Sequence, residues 1–167
     1  MVRKDTVPGR KSMEPLISRV HTHLTRDRKT IAVAESCTAG LLASLLTAQS
    51  GSSSYFLAGI ITYSNHAKET LLGISTRLIR DQGAVSKGVA LKMASQVRTI
   101  AGSDIGIGIT GIAGPTGGSP KKPVGTVYIA ISTPRKEICR KYRLKGNRQA
   151  IRRKAALFSL MLLEKTL

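Results

Sequence analysis

The sequence contains few aromatic residues and few cysteines. It has no tryptophan, two phenylalanines and four tyrosines among 167 residues. Because so few rings are available to stack on bases, any binding to nucleic acid would be non-specific and strongly dependent on salt. The two cysteines, Cys37 and Cys139, stand far apart without a CxxC or Cys/His cluster. This pattern excludes a disulfide framework and a structural zinc site, and free thiols are typical of a cytoplasmic protein.

Long apolar runs are also missing. No stretch approaches the roughly 20 apolar residues that a helix needs to span a membrane, so we expect no membrane partner. Residues 1–12 are basic and have no apolar segment behind them, which is unlike a secretory signal and indicates a flexible tail. Residues 13–167 have the length of one domain with a normal core.

Acidic residues are scarce relative to basic ones. The chain has 9 Asp and Glu against 27 Lys and Arg, which gives a formal net charge of +18. Eight of the basic residues fall in residues 1–30 and ten in residues 135–154, where Glu137 is the only acid. Such a field attracts anions, including phosphorylated small molecules, and the basic termini could bind nucleic acid weakly. An ordinary solubility surface explains the charge equally well.

Hydrophobic periodicity predicts helices alternating with strands. Strands are predicted at residues 29–36, 55–64, 104–111, 124–133 and 137–145. Helices are predicted at residues 13–27, 38–48, 64–73, 86–102 and 147–165, with a short helical or irregular segment at 75–83. Ser64 and Ser86 are typical N-caps, and the last two strands form a hairpin. This order predicts a layered α/β domain with a mixed sheet.

Three short motif matches lie in the wrong structural context. Gly106–Gly111 matches the G-x-G-x-x-G dinucleotide fingerprint, but it lies inside a predicted strand and is followed by Pro115 instead of a helix. Ser119–Lys122 matches S-x-x-K but lies in a loop rather than at a helix start. His21 and His23 are two positions apart on a predicted helix and point in different directions. We therefore expect no metal site and no cofactor.

The first stretch that could carry chemistry is Glu35-Ser-Cys-Thr38, where a buried strand meets a predicted helix. The carboxyl ends of strands, followed by helix starts, form the usual ligand crevice of α/β domains. Backbone amides at a helix start can bind an oxyanion, so a nucleophile at Ser36 or Cys37 would be assisted there. Equally, Ser36 or Thr38 could cap the helix while Cys37 fills core space.

A second junction, Thr62–Lys68, could supply the base that a serine nucleophile needs. No histidine has an obvious orienting carboxylate, which leaves Lys68 as the leading candidate. A lysine can act as a base when desolvation or neighbouring cations lower its pKa. Tyr63, at the strand end, could hydrogen-bond the serine or the lysine. The structural alternatives are an ordinary surface lysine and a tyrosine that packs on the core.

Two further segments could bind a ligand. The glycine-rich run Gly111–Gly118, preceded by Thr110, lets the backbone approach a ligand closely, although a flexible loop is the alternative. Arg148, Arg152 and Arg153 stand at the start of the last predicted helix. The planar donors of an arginine suit a phosphate, and a solvated basic face is the alternative. Neither segment alone indicates a substrate.

Taken in order, several of these segments resemble one family. The stretches AESCTAG, YFLAGIITYSNHAK, GITGIAGPTGG and GNRQAIRRKA have the order and spacing of the CinA C-terminal domain family, over residues 13–167. The resemblance implies a three-layer α/β/α sandwich with a mixed, mostly parallel sheet. It also implies the activity of the family's characterised members, PncC-type nicotinamide mononucleotide (NMN) amidohydrolases, with a small nucleotide as substrate. A homodimer is a base-rate expectation.

The resemblance further implies catalytic roles. Ser36 stands at the position of the family's nucleophile, and Lys68 stands at the position of its base, without a metal. Tyr63 belongs to the same motif and is linked to the site. On this interpretation Cys37 is a neighbour of the nucleophile that packs.

Substrate-binding residues follow from the same resemblance. Thr110 and Arg148 match positions that are linked to the site, and Arg148 would face the substrate phosphate. The oxyanion would be bound by backbone amides near Thr38 or near Gly111. The sequence does not choose between these two sets of amides.

Overall fold

The computed structural model describes the backbone of residues 10–167 and the side chains of residues 13–167. The flexible tail expected at residues 1–12 falls largely outside the described residues, but its last three residues belong to the first helix, which starts earlier than predicted. The helices are α1 Arg10–Arg26, α2 Leu41–Leu46, α3 Asn65–Leu72, α4 Thr76–Gln82, α5 Lys87–Ala101 and α6 Arg148–Glu164. The strands are β1 Ile31–Glu35, β2 Phe56–Ile61, β3 Ile105–Gly111, β4 Thr126–Ser132 and β5 Glu137–Arg143.

The five strands form one sheet in the order β2-β1-β3-β4-β5. Strand β1 is parallel to β2 and β3, whereas β4 is antiparallel to β3 and β5. Four strands therefore run in one direction and β4 alone runs in the other, which confirms the predicted mixed, mostly parallel sheet. The hairpin predicted from the last two strands is also confirmed, with Thr126 opposite Arg143.

Helices cover both faces of the sheet, which confirms the three-layer α/β/α sandwich. The larger core cluster contains residues of α1, α2 and α6, and a second cluster contains residues of α3, α4 and α5. Alternation along β1 sends Ile31 and Val33 into the larger cluster and Ala32 and Ala34 into the second. The same alternation determines which helix layer Glu35 and Ser36, at the end of β1, each face.

The glycines of β3 are explained by packing against α5. A Cβ atom on Gly106 would lie 2.1 Å from the carbonyl oxygen of Ala94, and one on Gly108 would lie 2.3 Å from that of Ala90. Because only a residue without a Cβ atom fits there, these glycines let α5 lie directly on the strand. The dinucleotide-like pattern therefore lies inside a strand, as predicted, and serves helix–sheet contact.

The second helix is shorter than predicted. A helix was expected at residues 38–48, but α2 begins at Leu41 and ends at Leu46. Ala39 and Gly40 have positive φ angles of 48° and 91°. A right-handed helix cannot include two such residues, so the segment after Ser36 forms a turn instead.

The other helices agree more closely with the prediction. Ser64 accepts a hydrogen bond from the amide of Ala67, and Ser86 accepts one from the amide of Val89, so both predicted N-caps are confirmed. The segment predicted as short and helical or irregular is helix α4. Within residues 10–167, none of the helices is both long and apolar enough to cross a membrane.

Candidate active site

Ser36 directly follows β1 and continues the hydrogen bonding of the sheet. Its amide donates to the carbonyl oxygen of Ile109 in β3 at 3.0 Å. Because side chains alternate along a strand, Glu35 points towards α2 and Ser36 points towards the layer that contains α3. The Ser36 side chain is therefore held at the carboxyl end of β1, at the edge where ligands bind in α/β domains.

Glu35 is a structural residue that the sequence did not single out. Its carboxylate is buried and accepts hydrogen bonds from the amides of Gly40, Leu42 and Ala43, at 3.0, 3.2 and 2.8 Å. These are the first amides of α2, which have no partners within the helix itself. Glu35 thus caps α2 from the preceding strand. The signal in the sequence was an acidic residue at the end of an otherwise apolar strand.

Lys68 lies in α3 and is buried, with 2% of its surface exposed. Its Nζ donates to Ser36 Oγ at 3.2 Å and to the carbonyl oxygen of Thr62 at 2.8 Å. Among the described residues, no carboxylate forms an ion pair with this amine. Burial lowers the pKa of Lys68, because the charged ammonium loses its hydration. The structure therefore brings together the serine and the lysine that the sequence proposed as nucleophile and base.

Cys37 also borders the pocket beside Ser36, but it is less suited to act as the nucleophile. Its side chain is buried in the larger core cluster, and burial raises the pKa of its thiol to about 12. A Cβ atom on Gly111 would lie 3.1 Å from Cys37 Sγ, so the thiol fills space against β3. At neutral pH this cysteine stays protonated, and a thiol is a much weaker nucleophile than a thiolate.

A surface pocket of about 220 Å³ opens beside Ser36. It is also lined by Tyr63, Gly111, Gly114 and Arg148. The Arg148 guanidinium donates to the carbonyl oxygen of Gly114 at 2.7 Å and to the hydroxyl oxygen of Tyr63 at 2.5 Å. Three of the predicted site residues besides Ser36 therefore line one wall of this pocket.

Two residues predicted to bind the substrate, Thr110 and Thr38, do not line this pocket. The hydroxyl group of Thr110 donates to the carbonyl oxygen of Ala84 at 2.8 Å and does not line the pocket. Thr38 is fully buried in the turn before α2, and its hydroxyl group has no hydrogen-bond partner within the part of the chain that the structure describes. The first residues of α2 lie beyond Gly40 rather than at Thr38, so Thr38 does not begin the helix as expected.

Arg152 makes a contact that the sequence reasoning missed. It was grouped with Arg148 and Arg153 as a possible phosphate ligand, but its guanidinium points to the turn that follows Ser36. Its Nε donates to the carbonyl oxygen of Cys37 at 3.1 Å, and its Nη2 donates to that of Thr38 at 2.9 Å. Helix α6 therefore binds the backbone next to the nucleophile candidate.

A larger cavity, about 490 Å³, lies at the opposite edge of the sheet. It is lined by residues near the amino ends of β1 and β3, including Lys29, Asp104 and Arg135. Asp104 is already bound there by the amide and the hydroxyl group of Thr30. The residues that line this cavity include neither a serine nor a cysteine, so its greater size does not make it a better candidate site.

Fold and geometry together define an α/β/α sandwich with a serine–lysine pair at the carboxyl edge of its sheet. The chain belongs to the CinA C-terminal domain family, whose model matches residues 13–167. A CinA-like protein of Geobacter sulfurreducens is 51% identical over 131 residues, which are 78% of this chain and 32% of that protein. One of Kosmotoga olearia is 45% identical over 152 residues, 91% of this chain and 36% of that protein. The chain spans about a third of the length of these curated relatives.

Solved structures match almost the whole chain. A CinA superfamily protein from Escherichia coli superposes with a TM-score of 0.90 at 32% identity, covering 100% of this chain and 95% of that chain. A competence/damage inducible protein from Agrobacterium tumefaciens superposes with a TM-score of 0.89 at 36% identity, covering 96% and 97%. These likenesses confirm the predicted fold and family.

Proposed function

We propose that this chain hydrolyses the carboxamide of NMN to nicotinate mononucleotide and ammonia. The observation that carries the proposal is the 3.2 Å contact between Lys68 Nζ and Ser36 Oγ, beside an open pocket. This contact supports acyl transfer from an amide, because a serine hydroxyl needs a base within hydrogen-bonding reach. The choice of NMN comes from the resemblance of the motifs to those of the family's amidohydrolases.

The first half of the reaction would acylate Ser36. The neutral amine of Lys68 takes the proton of the hydroxyl group while Ser36 Oγ bonds to the carboxamide carbon. The carbonyl oxygen of Thr62 accepts one N–H of the amine and so holds Nζ within reach of the Ser36 hydroxyl group. Lys68 then gives the proton to the departing nitrogen, so that ammonia leaves and an ester to Ser36 remains.

The second half would hydrolyse this ester. Lys68, neutral again, takes a proton from a water molecule, and the hydroxide bonds to the acyl carbon. The bond from that carbon to Ser36 Oγ breaks, and Lys68 returns the proton to the serine. The products are nicotinate mononucleotide and the unchanged enzyme, and both halves use the same base.

We assign the developing oxyanion to the backbone near Gly111 rather than to the start of α2. The first amides of α2 already donate to Glu35, so they are occupied. Along β3, the carbonyl of Ile109 faces β1 and the amide of Ile112 faces β4. Because N–H groups alternate along a strand, the amide of Gly111 faces β1, just past the last bond that Ser36 makes. A donor there would meet a charge that forms on a carbonyl bonded to Ser36.

Arg148 is the residue that we propose for the substrate phosphate. A guanidinium has five N–H donors, and Arg148 uses two groups of them on Gly114 and Tyr63. Its remaining donors and its positive charge suit an anion at the mouth of the pocket. Tyr63 is 57% exposed and would lie against the nucleotide rather than inside the core.

The experiment that tests this proposal measures ammonia release from NMN by the purified chain. Ser36→Ala and Lys68→Met are each expected to lower the rate by at least about a hundredfold, since each removes one half of the proton transfer. Ser44→Ala and Lys92→Met are matched controls on exposed positions of α2 and α5, and they should remain active.

Circular dichroism must show that all four variants are folded. Full activity of either Ser36→Ala or Lys68→Met contradicts the serine–lysine mechanism. Activity on other carboxamides but not on NMN would keep the mechanism and contradict the substrate.

A second candidate function, weak non-specific binding of nucleic acid, has one observation in its favour. Arg140, Lys141 and Arg143 are all exposed on β5, at one edge of the sheet. Such a row of cations attracts a phosphate backbone, with an affinity that falls steeply as salt is added. Filter binding tests this function: retention at low salt that disappears with added salt supports it, and no retention at low salt contradicts it.

A further inference from the structure

The two edge strands of the sheet carry very different side chains. Strand β5 has exposed cations, and such charges keep a strand edge from pairing with another chain. Strand β2, at the opposite edge, reads Phe-Leu-Ala-Gly-Ile-Ile and has no charged residue. Its register with β1 shifts only at its start, between Ile31 and Ala32, and is regular from Ala58 to Ile61. Strand β2 is therefore an apolar edge with little of the usual protection against pairing.

Exposed apolar side chains gather around this strand. Six large apolar side chains are exposed within residues 13–167, and four of them lie in β2, in α3 or in the turn between. Three of these four, which we call the β2 patch, are Leu57 and Ile61 of β2 and Leu71 of α3, each 45–52% exposed, whereas the fourth, Tyr63, lines the pocket with Arg148. Scattered single apolar residues are normal on a surface, whereas several of them on and beside one edge strand mark an interaction site.

Strand β2, which carries Leu57 and Ile61 of the patch, also lies in a stretch without formal charge. From Ser36 to Ala67 the sequence has no Lys, Arg, Asp or Glu, although the whole chain has a net charge of +18. Two copies of so basic a chain repel each other at most of their faces. An acidic partner or a nucleic acid would be attracted to the cations of β5 instead. A neutral apolar face is the place where two copies can meet at the least electrostatic cost.

We infer that the β2 patch is the interface between two copies of this chain. The two β2 strands pair edge to edge about a twofold axis and join two five-stranded sheets into one. Each strand supplies backbone donors and acceptors to the other, and the apolar side chains of the patch leave water. The strand leads directly to Thr62, whose carbonyl oxygen binds Lys68, so the interface also supports the segment beside the base.

Sedimentation velocity of the full chain over a wide range of concentrations tests this inference. The unmodified chain should be a dimer that dissociates on dilution. Leu57→Lys and Ile61→Lys each place two cations in the interface, and each should raise the dissociation constant by about tenfold or more. Ile100→Lys is the matched control, because Ile100 is 56% exposed on α5 and lies outside the patch. It should leave the dimer intact.

Salt supplies an independent readout. Added sodium chloride screens the repulsion between the two basic copies, so the dimer should become tighter, whereas an interface built on ion pairs would become weaker. Three results would overturn the inference: an unmodified chain that is monomeric at every concentration, a dimer that survives both patch variants, or equal dissociation by Ile100→Lys. Melting curves of all variants show that loss of the dimer is not loss of the fold.

Discussion

Lys68 Nζ lies 3.2 Å from Ser36 Oγ, although the two residues are 32 positions apart in the sequence. The amine is buried, and among residues 13–167 its only other hydrogen bond goes to the carbonyl oxygen of Thr62. An amine in this position is held in its neutral form more easily than one in water. The pair is therefore arranged so that a proton can pass from the hydroxyl group to the amine.

The rate of amide hydrolysis should rise with pH and reach its plateau below pH 10.5, the ordinary pKa of a lysine. Only the neutral amine can accept a proton, and burial lowers the pKa of Lys68, so the neutral form appears at a lower pH than in water. The measurement is kcat/KM as a function of pH. Lys68→Arg keeps a cation and its donors but cannot give up a proton, and it should be inactive at every pH.

A profile that falls as pH rises from neutral would contradict the role of Lys68 as a base. So would a Lys68→Arg variant that keeps its activity. The parent chain and the variant should be compared by melting temperature at each pH, so that unfolding is not mistaken for titration.

Cys37 should be dispensable for the chemistry. Because the pKa of its thiol is raised to about 12 by burial, the thiolate is almost absent at neutral pH. Cys37→Ala should therefore keep its rate within a few-fold, while losing about 1–2 kcal/mol of stability for the buried sulfur that is removed. Mass spectrometry after iodoacetamide treatment should show no label on Cys37 in the folded chain and full label after unfolding. Rapid labelling of the native thiol would argue against this environment.

Glu35 should contribute strongly to the stability of the fold, because its buried carboxylate caps α2. Glu35→Ala removes the acceptor for the amides of Gly40, Leu42 and Ala43, and we expect the free energy of unfolding to fall by about 2 kcal/mol or more. Urea denaturation measures this loss. Glu14→Ala, on an exposed position of α1, is the control and should change stability very little. Equal stability of the two variants would mean that the cap is energetically unimportant.

Arg152 should act as a positioning residue for the turn after Ser36. Arg152→Met removes the two donors that hold the carbonyl groups of Cys37 and Thr38, and we expect kcat to fall about tenfold or more while KM changes little. Arg152→Lys should recover only part of the rate, because a lysine ammonium does not have the planar pair of donors that binds both carbonyl groups. Arg153→Met is the matched control, one position along the same helix and exposed. A change in KM alone would instead place Arg152 at the substrate.

The sequence predicted the strands well because their apolar runs are short, continuous and bounded by turn residues. The three-layer fold was correct as well. Helix α2 was predicted too long because Thr38 looked like a cap at the start of an apolar run. In the structure the acceptor comes from Glu35, on the preceding strand, and positive φ at Ala39 delays the helix. Because this acceptor lies on the preceding strand and not at the N-cap position, the residues at the start of the helix give no indication of where it begins.

The candidate site could be predicted only in part. Ser36 directly follows β1, and Lys68 lies in the helix that follows the neighbouring parallel strand β2, so both come after strand ends at the same edge of the sheet and their proximity could be expected. Thr110 lies inside β3, where the alternation of a strand fixes the face of the sheet that a side chain takes but not its hydrogen-bond partner. For this reason the sequence did not show that Thr110 binds the carbonyl group of Ala84 instead of facing the pocket.

Arg148 and Arg152 lie one helical turn apart on the same face of α6, and each binds the backbone of a different loop. One loop contains Gly114, and the other is the turn that follows Ser36. A rigid shift of this helix would therefore move both loops together, and the spacing between the Ser36 hydroxyl group and the Arg148 guanidinium would be preserved. Helix α6 thus holds both loops, and fraying of its first turns would release the loop that contains Gly114 and the turn after Ser36 at the same time.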